Sequence, residues 1–160
     1  MRTKRSSKPF KTGVSLNNDD DVIRFGLEQS NYETIGANQF NLSSEEKKLD
    51  WKRLSVWETS LSTVQQITNI LNNPKRKIVI ELNVQDIRTI INDDVQLDIK
   101  WDRLDWCIDN NNIKKKTYKS GCEGHCGLDG LYPNNKKLRK KIRKALADLA
   151  TSSSWRVLEE

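Results

Sequence analysis

A short apolar run at residues 78–82 constrains the fold of this chain more than any other feature of its sequence. All of its residues except Glu81 are Ile, Val or Leu. β-branched residues favour strands. An apolar run without polar alternation is typical of a strand that is covered on both faces. We therefore predict that 78–82 forms a central strand of a sheet.

Shorter patterns on both sides of this run alternate between strand and helix. Strand-like segments lie at 22–25, 39–42, 54–57, 95–101 and 155–157. Helix N-caps are predicted at Ser43, Ser62, Asn83 and at Asn134 or Asn135. No connection has the form of a long βαβ crossover. These patterns predict an α+β fold with a mostly antiparallel or mixed sheet, short helices and a cationic C-terminal helix.

The length of 160 residues predicts one domain. We assign residues 10–160 to this domain and residues 1–9 to a basic, disordered N-terminal tail. No segment approaches the roughly 20 apolar residues of a membrane span, and no apolar segment follows the basic N-terminus as in a secretory signal. Three cysteines, an odd number, do not suggest a disulfide framework. Reduced thiols and a cytoplasmic location are the corresponding expectations.

Positive charge is concentrated between residues 113 and 144. This segment has 11 basic and 2 acidic residues and a charge of +9, whereas the whole chain has +6. Lysines in the first turn of the predicted helix oppose the helix dipole, and lysines four residues apart repel each other. Such one-sided charge indicates a partner. The expected partner-binding residues are Lys114, Lys115, Lys116, Lys119, Lys136, Lys137, Lys140, Lys141, Arg143 and Lys144.

An acidic protein surface and a nucleic acid are the two partners that this charge pattern allows. A phosphate backbone would attract the same lysines. However, Tyr118 and Tyr132 are the only aromatic residues in the segment, too few for a stacking platform. The helix also lacks the Trp or Phe of a membrane-surface helix. We therefore expect a small intracellular binding module for an acidic protein, with nucleic-acid binding as the alternative.

Residues 121–130 form a predicted Gly-rich loop that contains the only histidine of the chain. Its catalytic candidates are His125, Cys126 and Asp129, so a small enzyme with this loop as its active site is a second alternative. Loops often carry functional residues, and the glycines could also form an anion-binding nest. Adjacent residues rarely make a nucleophile–base pair, and no catalytic signature surrounds them. We therefore favour a protein without catalytic activity.

The same loop supplies the weak candidates for a metal site: Cys107, Cys122, His125 and Cys126. Three thiols and one imidazole are a possible zinc ligand set. Zinc sites usually contain two well-spaced ligand pairs, and the adjacent residues His125 and Cys126 do not fit that spacing. Cys107 lies among apolar residues, where a free cysteine behaves as a small hydrophobic side chain. We predict that the protein binds neither a structural metal nor a cofactor.

Overall fold

An antiparallel sheet of six strands organises the computed structural model, which describes residues 12–48, 52–92, 95–102 and 121–158. The strands are β1 (Asp21–Leu27), β2 (Arg53–Glu58), β3 (Arg76–Asn83), β6 (Asp98–Trp101), β7 (His125–Asp129) and β8 (Ser154–Val157). Their order is β6-β7-β2-β1-β3-β8, and each neighbouring pair is antiparallel. A separate ribbon pairs β4 (Ile91–Asn92) with β5 (Val95–Gln96).

Four α-helices and two 3-10 turns connect these strands within the described ranges. The helices are α1 (Ser44–Lys47), α2 (Val64–Leu71), α3 (Val84–Arg88) and α4 (Lys136–Ser152), and the 3-10 turns are Ala37–Phe40 and Cys122–Gly124. The predicted α+β class is confirmed. No helix in these ranges has both the length and the apolar character that crossing a membrane requires.

Strand β3 contains the apolar run 78–82 and lies in the interior of the sheet, between β1 and β8. Ile78, Ile80 and Leu82 belong to the main hydrophobic core. Val79 belongs to a smaller cluster on the opposite face. Both faces of β3 are therefore covered, as the absence of alternation predicts.

The main core lies between the sheet and helices α3 and α4. Helix α4 buries Ile142, Leu146, Ala147 and Ala150, whereas the sequence predicts a stripe of Leu138, Ile142, Ala145 and Leu149. Ile142 is the one residue that belongs to both sets. The other three predicted residues are partly exposed. The helix is therefore rotated about its axis relative to the predicted orientation, so that Ala147 and Ala150 face the core. Of the two predicted cap positions, Asn134 and Asn135, the cap is Asn135, whose Oδ1 accepts from the backbone amides of Lys137 and Leu138.

Helix α2 covers the opposite face of the sheet. Its Ile67 packs with Ile23, Phe25, Trp57 and Val79. The capping box begins at Thr63, one residue after the predicted Ser62. Ser62 is buried and donates its hydroxyl to the carbonyl of Gly121.

Two predicted strands have a different structure. Part of segment 39–42 forms the 3-10 turn Ala37–Phe40, where Gln39 pairs through its side-chain amide with both backbone groups of Leu27 at 2.7 Å. Phe40, the last residue of this turn, and Leu42, two residues later, are both buried. Their alternating spacing therefore does not require a strand. Segment 95–101 divides at the buried Leu97 into β5 and β6.

Candidate functional site

The first three turns of α4 carry the strongest concentration of charge in the described part of the chain. Between Lys136 and Lys144, seven of nine residues are basic and none is acidic. Lys136, Lys137, Lys140, Lys141 and Lys144 are exposed. Within the described ranges, Lys144 is the only one of the seven that forms an ion pair, to Asp148 Oδ1 at 3.5 Å. The other predicted partner-binding residues, Lys114, Lys115, Lys116 and Lys119, lie outside the described residues.

A groove of about 350 Å³ runs beside this part of α4. Its lining residues are Asn41, Leu42, Lys47, Tyr132, Lys136, Arg139 and Arg143. Four of these are cations and none is an acid. Lys47 comes from α1 and the other three cations come from α4, so two separate elements direct positive charge into one concave surface.

The ring of Tyr132 organises two of the groove cations. The guanidinium carbon of Arg139 lies 4.3 Å from the ring centroid, and the Lys47 ammonium lies 5.6 Å from it. Cation–π contacts of this length stabilise a cation against the ring. We call the eight residues Lys47, Lys136, Lys137, Arg139, Lys140, Lys141, Arg143 and Lys144 the cationic surface.

The predicted Gly-rich loop is a 3-10 turn followed by strand β7. Its glycines serve close packing: a Cβ on Gly124 would lie 2.1 Å from the Ser62 hydroxyl, and one on Gly127 would lie 2.4 Å from Arg53 Cγ. In this segment, positive φ occurs at Gly121 and Gly130. Neighbouring side chains fill the space above Gly124 and Gly127, so these two glycines do not line an open anion nest.

The structure separates the three catalytic candidates. Successive side chains of a strand point to opposite faces, so His125 and Cys126 cannot act as one nucleophile–base pair. The Cys126 thiol contributes to the main core and donates to the carbonyl of Gly124 at 3.2 Å. Asp129 is four residues beyond His125, about 13 Å away at roughly 3.3 Å per residue, and pairs with Lys100 at 3.3 Å.

His125 instead belongs to a buried polar cluster with residues that the sequence analysis did not single out. Its Nδ1 lies 3.6 Å from Asp102 Oδ2, and its ring meets Trp57 edge to face with the centroids 5.2 Å apart. Asp102 accepts from Arg53 Nε at 2.8 Å and Nη2 at 2.5 Å. His125 is only 3% exposed, which leaves it without access to a substrate in this conformation.

The weak metal candidates are also separated. Cys122 is disulfide-bonded, so the expectation of three reduced thiols is wrong; Cys126 is free and lies on the opposite face of the sheet from His125. Cys107 lies outside the described residues. Across the ranges that the structure describes, no group of three or more His, Cys, Asp or Glu side chains is arranged to hold a metal ion. The absence of a structural metal stays a prediction.

Comparisons with known proteins do not inform these sites. No protein-family model, no curated protein and no solved structure matches the chain.

Proposed function

We propose that this protein is a non-catalytic binding module that docks an acidic protein segment on the cationic surface. One observation carries the proposal: seven cations on three helical turns and one on α1 have a single ion pair among them in the described structure, Lys144 with Asp148. Like charges four residues apart and cations at a helix N-terminus each cost a few tenths of a kcal/mol or more. An acidic partner would offset that repulsion.

The groove favours a protein partner over a nucleic acid. Tyr132 is the aromatic residue that lines the groove, and its ring already contacts Arg139 and Lys47. It is therefore not free to stack on a base, which single-strand binding proteins require. The exposed positions between Lys136 and Lys144 are lysines, which act as point charges and do not supply the paired hydrogen bonds that read base edges. Glu and Asp side chains need only such point charges.

The enzyme alternative has less support. His125 and Asp102 resemble a base and its orienting carboxylate in their separation, but Arg53 already holds both oxygens of Asp102. Trp57 and the sheet cover the imidazole. A reaction at His125 would require the cluster to open, and the buried ion pair opposes that opening.

The cytoplasmic location stays a prediction, and the disulfide at Cys122 weighs against it, because disulfides are rare in cytosolic proteins. Cell fractionation combined with thiol trapping tests both points. Recovery in the cytoplasmic fraction with Cys122 reduced would support the predicted location. Recovery with Cys122 oxidised in an extracytoplasmic fraction would contradict it.

The binding experiment uses fluorescently labelled poly-L-glutamate as the acidic probe. We expect the double variant Lys136→Glu, Lys140→Glu to lose at least about tenfold in affinity, because two attractive charges become repulsive. The matched control, Lys75→Glu with Arg156→Glu, reverses two exposed cations elsewhere and changes the net charge equally. It should retain affinity within about twofold.

Two further results discriminate between partners. A generic DNA duplex should bind more weakly than poly-L-glutamate at the same ionic strength; tighter duplex binding with a steep salt dependence would favour the nucleic-acid alternative. Equal losses in the two double variants would show that only net charge matters. The docking proposal would then be wrong.

A further inference from the structure

Strands β1 and β2 separate within the sheet, and this separation creates a small polar cavity. Their ladder pairs Val22 with Glu58 and Ile23 with Trp57 and then ends, although both strands continue. Beyond that point, side chains replace the missing backbone partners of Ser55. Its carbonyl accepts from Arg24 Nη1 at 3.1 Å, and its amide donates to Glu46 Oε2 at 2.7 Å.

The cavity has a volume of about 70 Å³. Two guanidinium groups, Arg24 and Arg76, and one carboxylate, Glu46, line it together with the apolar surfaces of Phe25, Trp57 and Leu71. A buried water occupies roughly 10–15 Å³ on this measure, so the space corresponds to about five waters or to one small organic anion.

The positive charge of this cavity is not neutralised within the described structure. Neither Arg24 nor Arg76 forms an ion pair there. Arg24 is 5% exposed; its Nε donates to the Gln39 carbonyl at 3.0 Å, and its Nη2 donates to none of the described residues. Arg76 donates to the carbonyl of Phe25 at 3.0 Å. Both arginines therefore donate their hydrogen bonds to neutral backbone oxygens.

Glu46 is the only acid in the cavity lining, and its oxygens are already used. Oε1 accepts from the Ser43 amide at 2.8 Å, and Oε2 accepts from the Ser55 amide. The pKa of Arg24 is lowered to about 10, first by burial and also by the charge of Arg76, although Glu46 raises it. Two cations and one carboxylate leave a net charge of one positive, shared between the buried Arg24 and the partly buried Arg76, and a desolvated charge without a partner is costly.

We propose that this cavity binds the carboxylate group of a small monoanionic molecule between Arg24 and Arg76. One negative charge makes the cavity neutral, whereas a phosphate dianion would leave excess negative charge beside Glu46. Guanidinium groups match carboxylates in geometry and bind them through short, charge-assisted hydrogen bonds. Phe25 and Leu71 offer apolar contact to a short carbon chain. This site does not depend on the cationic surface, so either proposal can fail alone.

The Trp57 indole provides a signal for the same cavity. Trp57 borders it, and its buried Nε1 has no hydrogen-bond partner among the described residues. A bound anion changes the electric field at this N–H group. The indole resonance of Trp57 in a ¹⁵N NMR spectrum, assigned with a Trp57→Phe variant, should therefore respond to ligand binding.

The experiment titrates the full chain with sodium acetate, with sodium chloride at matched ionic strength as the reference and inorganic phosphate as the competing anion. We expect saturable shifts and an increase in melting temperature with acetate alone, because a ligand of the folded state stabilises it by mass action. Arg76→Gln should weaken acetate roughly tenfold or more, the factor associated with one charged hydrogen bond. Lys75→Gln removes an adjacent exposed charge and should leave the affinity within about twofold.

Three outcomes would overturn the proposal: shifts that do not saturate or that match those in chloride, tighter binding of phosphate than of acetate, or unchanged acetate affinity in Arg76→Gln. If Arg76→Gln does not fold, the acetate affinity of Arg76→Lys tests the proposal instead. The lysine keeps the charge and removes the planar fork, so acetate affinity should fall several-fold. Wild-type affinity in Arg76→Lys would also refute the assigned geometry.

Discussion

Arg53 reaches Asp102 by crossing the strand that lies between them. Arg53 begins β2 and Asp102 directly follows β6, and β7 separates these two strands in the sheet. The Arg53 stem passes over Gly127 of β7 at a distance where a Cβ would collide with it. The guanidinium then donates to both carboxylate oxygens of Asp102. One ion pair thereby connects three strands at this end of the sheet.

Asp102→Asn should destabilise the fold by about 3–5 kcal/mol, because it removes the carboxylate charge from a buried ion pair. Urea unfolding followed by circular dichroism measures the change. The control Asp148→Asn breaks an exposed pair and should cost less than about 1 kcal/mol. Equal small effects in both variants would show that the buried pair does not hold the strands together.

Gly127→Ala should destabilise the fold by about 1–3 kcal/mol, the usual cost of overpacking, since the new methyl group would displace the Arg53 stem. The double variant Gly127→Ala, Arg53→Ala removes the Cγ and Cδ atoms of Arg53, which obstruct the methyl group, but keeps a Cβ at residue 53 that would lie 2.9 Å from it. In a thermodynamic cycle, the Gly127→Ala cost should therefore fall in the Arg53→Ala background without disappearing. A cost that is the same in both backgrounds would contradict the steric explanation.

Ile80→Asp should unfold the domain. Ile80 is fully buried on β3, and an isolated buried carboxylate costs several kcal/mol against a total stability of roughly 5–15 kcal/mol. Glu81 is the adjacent residue and is exposed, so Glu81→Gln serves as the control and should remain folded. A folded Ile80→Asp protein with an unchanged melting temperature would refute the interior position of β3.

The stability of the protein should fall at acidic pH through Asp98. Burial alone raises the pKa of this carboxyl, but hydrogen bonds from Ser15 and Arg88 outweigh it and hold the pKa below its usual 3.8. The folded state therefore binds the proton more weakly than the unfolded state. The contribution of Asp98 is complete above this usual value, which applies to the unfolded state, and is lost as the pH falls through the folded pKa.

Asp98→Asn should accordingly flatten the dependence of the urea midpoint on pH below about 4. Asp148→Asn is the reference, because Asp148 is an exposed carboxylate on α4. An unchanged acid slope in Asp98→Asn would show that another group governs acid unfolding.

Local patterns in the sequence predicted the elements whose hydrogen bonds or periodicity are local. The unbroken apolar run predicted β3, and Asn135 predicted the start of α4, because a cap bonds to amides two or three residues away. Ser43 and Glu46 likewise form the predicted capping box. The α+β class follows from these elements, and the cationic helix was evident from composition alone.

Tertiary structure decided which residues meet. Arg53 and Asp102 are 49 residues apart, and no local pattern indicates that a glycine on a third strand lets them bond. The same applies to Arg24 and Arg76, which share a cavity only because β1 and β2 separate. The predicted Gly-rich loop is a 3-10 turn and strand β7, in which close neighbours require Gly124 and Gly127 and positive φ favours glycine at 121 and 130. Spacing along a chain determines backbone preference, whereas contacts between distant residues depend on strand order and register, which only the folded sheet establishes.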